Sequence, residues 1–158
     1  MKELFEYRRK LMARLVEAAK EFRTACLAEK DPYAPLEDGW SVHQIAVHTR
    51  DVDHLVYGLR VRRTAVEDNP EFPNFDGNVY LAENYAASES LHDVLDSLVE
   101  STGALVELLQ TLPAEAWSRP SRHTTLGSGL TLQSWVEKNL AHIEEHLETV
   151  KRAKQESP

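Results

Sequence analysis

Apolar residues recur at three- and four-residue steps along four stretches of the chain, the spacing of amphipathic helices. The first stretch predicts a helix over residues 2–29, with Leu4, Leu11, Leu15, Ala18, Ala19, Phe22 and Cys26 on one face. Asp31-Pro32-Tyr33-Ala34-Pro35 ends it, because proline lacks the amide donor that a helix interior needs. A second helix is expected over 41–67. Ser41-Val42-His43-Gln44 fits a capping box at its start, and Ile45, His48, Val52, Leu55, Val56 and Leu59 form its stripe. A third is expected over 88–111, carrying Leu91, Val94, Leu95, Leu98, Leu105 and Leu109 and stopping before Pro113. Thr131 caps a fourth over 131–154, with Leu132, Trp135, Val136, Ile143, Leu147 and Val150. No segment alternates strongly enough to predict a strand. The pattern predicts an all-α four-helix bundle, one domain over residues 1–158.

Two connections stand out. Residues 68–87 are long for a compact domain and hold Pro70, Phe72, Pro73, Phe75, Gly77, Tyr80 and Tyr85. This stretch has room to run the length of the bundle, which would break simple up-down-up-down order. Residues 118–130 form a polar loop with Pro120, Gly127 and Gly129. Both are expected to border a binding cleft, since long connections, the first of them aromatic-bearing, often form binding surfaces.

Composition narrows the function classes. A net charge of −8 and a pI near 5.4 argue against nucleic acid, which is bound by Lys and Arg neutralising phosphates. No apolar run approaches a membrane span, and the N-terminus lacks a signal core. A single cysteine, Cys26, excludes an internal disulfide framework. The expected setting is cytoplasmic and the expected partner a small molecule, with no nucleic acid and no membrane.

The candidate chemistry lies in the histidines. His142 and His146 are one turn apart on the fourth helix, about 40° apart around its axis and at the edge of its apolar stripe. His48 sits inside the stripe of the second helix, where a polar ring needs a partner. His43, His54 and His92 point away from their apolar stripes, and His123 falls in a loop. If the two faces meet, three imidazoles converge, a donor set that holds a divalent metal with a position left for water or a thiol. Spacing alone leaves the other reading open, a satisfied core histidine with two partly exposed neighbours.

Other motifs fit less well. The zinc-protease pattern needs Glu after the first histidine, and Ile143 stands there. Of the Glu-x-x-His pairs that a di-iron bundle requires, only Glu89…His92 is present, off the apolar face. Cys26 reads as a buried structural thiol, and nothing resembles a nucleophile elbow. Asn139, one turn before His142, is placed either to hydrogen-bond a ligand or to fill space beside Trp135.

With Trp40-Ser41 followed by His48 on the second helix, and His142-x-x-x-His146 on the last, nearly the whole chain resembles the DinB-like superfamily. That superfamily includes YfiT-type proteins, bacillithiol transferases and mycothiol-dependent maleylpyruvate isomerases. The resemblance implies that His48, His142 and His146 hold one divalent ion, commonly zinc or nickel. It also implies a homodimer and chemistry on a low-molecular-weight thiol. The expected function is a metal-dependent thiol transferase or hydrolase acting on a small electrophile; the alternative is a metal- or small-ligand-binding stress-response protein without turnover.

Overall fold

The computed structural model of the protein describes residues 1–156. Four long helical segments form the bundle. Helix α1 spans Lys2–Leu27. The second segment is continuous but compound: α2 (Val42–Val52), a π-helical turn (Asp53–Gly58) and α3 (Leu59–Val66). After a short helix α4 (Gly77–Asn84) come α5 (Leu91–Thr111) and α6 (Leu132–Glu156). The helix starts follow the capping chemistry of the sequence. Ser41 Oγ accepts from the Gln44 amide at 3.1 Å, and the Gln44 side chain accepts from the Ser41 amide at 2.9 Å. Caps of this kind are worth about 1 kcal/mol. Ser90 and Thr131 start α5 and α6 with the one-way cap, their hydroxyls accepting from the Asp93 and Ser134 amides.

The bundle order is not sequential. α1 packs against α5 and α6, and the α2–α3 segment packs against the same two helices from the opposite side. The first and second long segments, and likewise α5 and α6, thus lie on diagonals, while the second segment and α5 are neighbours. Leu15, Phe22, Ile45, Leu95, Leu98, Leu105, Trp135 and Ile143 fill the space between them.

Three expectations from the pattern are corrected. First, the π turn changes the phase of the second segment. Leu55 and Leu59, expected inside, are 37% and 43% exposed, whereas Asp53, Val56, Arg60 and Thr64 are buried. One extra residue per turn advances every later position by one, so the inward face after the turn is not the one an α-helical extrapolation gives. Gly58 permits the close approach of the backbone at this turn: a Cβ there would stand 2.8 Å from the Asp53 carbonyl oxygen.

Second, residues 68–87 are not an irregular loop, since they contain strand β1 (Glu71–Phe72) and α4. Third, strands are present. β1 pairs parallel with β2 (Pro120–His123), which pairs antiparallel with β3 (Gly127–Thr131). β2 does alternate, burying Ser121 and His123 and exposing Pro120 and Arg122. Its inward residues are polar, so hydrophobic periodicity does not reveal it. Ser121 Oγ accepts from the Trp135 indole N–H at 2.7 Å and donates to the Leu130 carbonyl at 2.7 Å. The small sheet is thereby tied to α6 and covers one side of the helical site.

Candidate metal centre

α2 and α6 bring their histidines together. His142 Nε2 lies 3.2 Å from His48 Nε2 and 3.1 Å from His146 Nε2. The three rings are half-buried, and their ligating nitrogens all lie within 4.8 Å of one another. Trp40 packs against His48 with ring centres 5.0 Å apart, and Tyr57 lies 5.7 Å from His142. Gly77, at the first position of α4, supports His48 from below; a Cβ there would stand 2.7 Å from His48 Cε1. The Asp76 carboxylate accepts from the Asn78 and Val79 amides and fixes the start of α4 beneath that ring.

This spacing fits a cation. A neutral imidazole has one N–H and one lone pair. His142 Nε2 therefore cannot satisfy both neighbouring nitrogens by donating one proton, and three facing lone pairs repel. An ion between them satisfies all three. Two imidazole nitrogens bound to one tetrahedral zinc at ~2.0–2.1 Å stand about 3.3 Å apart, close to the separations seen. The electrostatics favour the lone-pair state as well. Burial, then the neighbouring His146, lowers His48 to about 4. Burial, then His146 and His48, lowers His142 to about 3. Burial also lowers His146, opposed by Asp38.

The three rings stand in a cleft of about 440 Å³, lined also by Trp40, Tyr57, Arg60, Phe75, His123 and Glu145. Asn74, Gly77 and Asn78 come from the 68–87 connection, and Thr125 and Leu126 from the 118–130 segment. Both connections border the site, as expected.

A polar group lies deeper in the bundle. Asp53, on the π turn, is buried and accepts from Ser101 Oγ at 3.1 Å. Burial pushes its carboxyl up to about 6, with Asn139 and Ser101 pulling the other way. Asn139 is fully buried beside it, yet neither of its amide atoms reaches hydrogen-bonding geometry. His142 Nδ1, one turn further along α6, is likewise buried without a partner.

A profile of the DinB superfamily matches residues 9–150. The chain belongs to the DinB superfamily. The solved structure of YfiT from Bacillus subtilis superposes with a TM-score of 0.86 at 21% identity, covering 95% of this chain and 87% of YfiT. YfiT is described as a probable metal-dependent hydrolase with an unusual four-helix bundle topology. At that identity the likeness establishes the shared fold. No curated protein matches the sequence.

Within this DinB fold the other candidates separate clearly. His54 and His92 are exposed. Cys26 is a buried free thiol in α1, pushed up by burial and remote from the cleft lining. Glu89 is taken by a two-pronged ion pair with Arg50. His43, expected to point away from the core, is fully buried. Its Nδ1 meets the Tyr85 hydroxyl and its Nε2 meets the Glu89 carbonyl, both at 2.7 Å, so it pins the chain before α5 onto α2. His123 is on β2 rather than in a loop, and its Nδ1 accepts from the Thr125 and Leu126 amides at 3.1 Å. Tyr57 and Arg60 were not legible as site residues, because the π turn sets their direction. Trp40, singled out with Ser41 in the sequence, stands in the cleft wall beside residues of the two connections.

No helix among the described residues is long and apolar enough to cross a membrane.

Proposed function

We propose that His48, His142 and His146 hold one divalent ion, zinc or nickel, and that the protein is an enzyme that transfers a low-molecular-weight thiol to a small electrophile. The observation that carries this reading is the convergence of three imidazole nitrogens at the wall of a cleft. An ion held there supplies Lewis-acid chemistry, lowering the pKa of a bound thiol or water so that a nucleophile exists at neutral pH.

The chain's own residues do the rest. Burial keeps the imidazoles unprotonated at neutral pH, so their lone pairs are available without a preceding proton loss. Trp40 and Gly77 hold the His48 ring in place. Trp40, Tyr57 and Phe75 offer aromatic surface to the substrate, while Asn74, Asn78 and Glu145 supply polar contacts. Glu145 is exposed at the rim and acts on His48 through its charge, raising its pKa against the effect of burial.

A second reading is hydrolysis, favoured by the likeness to YfiT. One experiment separates the two. The zinc- or nickel-loaded protein is given cysteine and chlorodinitrobenzene, and in parallel a chromogenic ester without thiol. Thiol transfer forms the S–C bond, releases chloride and gives the thiol proton to solvent. The thiol reading predicts conjugate formation that depends on the metal and on His146. Ester cleavage without conjugate formation would establish hydrolysis instead. Inactivity on both, with metal bound, would favour a binding protein.

A further inference from the structure

Arg60 is a buried cation without a counterion among the described residues. The π turn brings it to the inward face, where it is 6% exposed. Its guanidinium carbon lies 4.7 Å from the Trp135 ring centre and 5.8 Å from that of Phe72. Nη2 donates to the Pro73 carbonyl at 3.0 Å. It forms no ion pair among the described residues, whereas Arg50, Arg14 and Arg63 are each paired with carboxylates. Removing a guanidinium from water without a partner is unfavourable, and a protein that keeps one beside a cleft has a site suited to an anion.

The surroundings fit that role. Arg60 lines the same cleft as the three histidines. Tyr57 and His123 flank it closely enough for their charges to couple: Tyr57 opposes the lowering of Arg60 by burial, and Arg60 helps to lower His123. Asn74 and Asn78 add amide donors to the lining. The one carboxylate in the lining, Glu145, acts on His48 and Tyr57 and forms no ion pair with Arg60. A planar guanidinium matches a carboxylate with two parallel hydrogen bonds.

We propose that the cleft binds a ligand bearing a carboxylate, which Arg60 holds while the ligand's reacting end lies at the histidines. This rests on reading the cleft as the substrate site. The carboxylate could be carried by the electrophile or by the thiol, and the two are separable.

The test compares phenylacetate with its neutral amide, phenylacetamide, by ligand-observed NMR titration of the metal-loaded and chelator-stripped protein. The expected result is a preference for the acid of about tenfold that survives chelation, falls to none in Arg60→Gln and is partly kept in Arg60→Lys. Equal or absent binding of acid and amide by the unsubstituted protein overturns the proposal. So does a preference that vanishes on chelation and persists in Arg60→Gln, because the anion would then sit on the metal. Should Arg60→Gln fail to fold, the chelated unsubstituted protein and Arg60→Lys decide the matter.

Mercaptoacetate distinguishes the carrier. If the thiol bears the carboxylate, its affinity depends on both the metal and Arg60. If the electrophile bears it, mercaptoacetate depends on the metal alone, and β-mercaptoethanol leaves phenylacetate binding intact. Metal content is read in the same samples. Acid preference without metal retains the carboxylate site and removes the metal reading, while metal without acid preference does the reverse.

Discussion

A histidine in water loses its proton near pH 6.5; in this bundle His48 does so near 4 and His142 near 3. Because the folded pKa lies below the unfolded one, the unfolded chain takes up protons first as pH falls. The stability that these rings contribute is present above about pH 6.5 and is lost as pH falls towards 4 and 3. Proton competition for the metal moves with it. The window lies below the ordinary imidazole range. Metal affinity, measured by chelator competition, should change little between about pH 7.5 and pH 6 and fall steeply only nearer pH 4. A steep loss already between pH 7 and 6 would contradict the burial argument. Asp53 has the opposite sign. Its carboxyl is pushed up to about 6, so its favourable contribution is present below the ordinary aspartate value and is lost as pH rises through 6. Asp53→Asn should raise stability at about pH 8 by on the order of 2 kcal/mol and far less at about pH 4. Urea unfolding at the two pH values checks this; a variant less stable at pH 8 would show that the carboxylate is needed in its charged form.

At the scale of elements, the four long helices were legible because each buries a stripe of aliphatic residues at helical spacing, and two of their caps were written in Ser41 and Thr131. The histidine triplet was legible for the same reason: His48 stands in a stripe, and His142 and His146 stand beside one. What was hidden depends on departures from that period. The π turn cannot be read from local composition, and it exchanges Leu59 for Arg60 on the inner face. β2 buries Ser121 and His123, so its alternation carries no hydrophobic signal, and His43 is buried by partners from a distant loop. Helix α4 is short and mostly exposed, yet it sets the site through Gly77. Gly77→Ala should press a methyl group on the His48 ring and weaken metal binding about tenfold or more, the scale seen when the surroundings of a ligand are disturbed. Helical circular dichroism should be unchanged. Unaltered affinity would mean that His48 has room to move.

For the whole molecule, the three-histidine cluster joins two helices that are distant in sequence. The fold itself belongs to the DinB superfamily, and its non-sequential order is what places α2 against α6. An ion held between them binds the folded chain and not the unfolded one. At a hundredfold excess over its dissociation constant it would add about 2.7 kcal/mol, or roughly 5–10 °C in Tm for a chain of this size. Chelation should remove that increment, and a Tm indifferent to both metal and chelator would mean that no ion links the helices. The most direct measurement is elemental analysis of the protein purified without a histidine tag, beside the double variant His142→Ala/His146→Ala and the single variant His123→Ala. The account predicts about one equivalent of a divalent metal in the unsubstituted protein and in His123→Ala, and none in the folded double variant. A full equivalent retained by the double variant would contradict it.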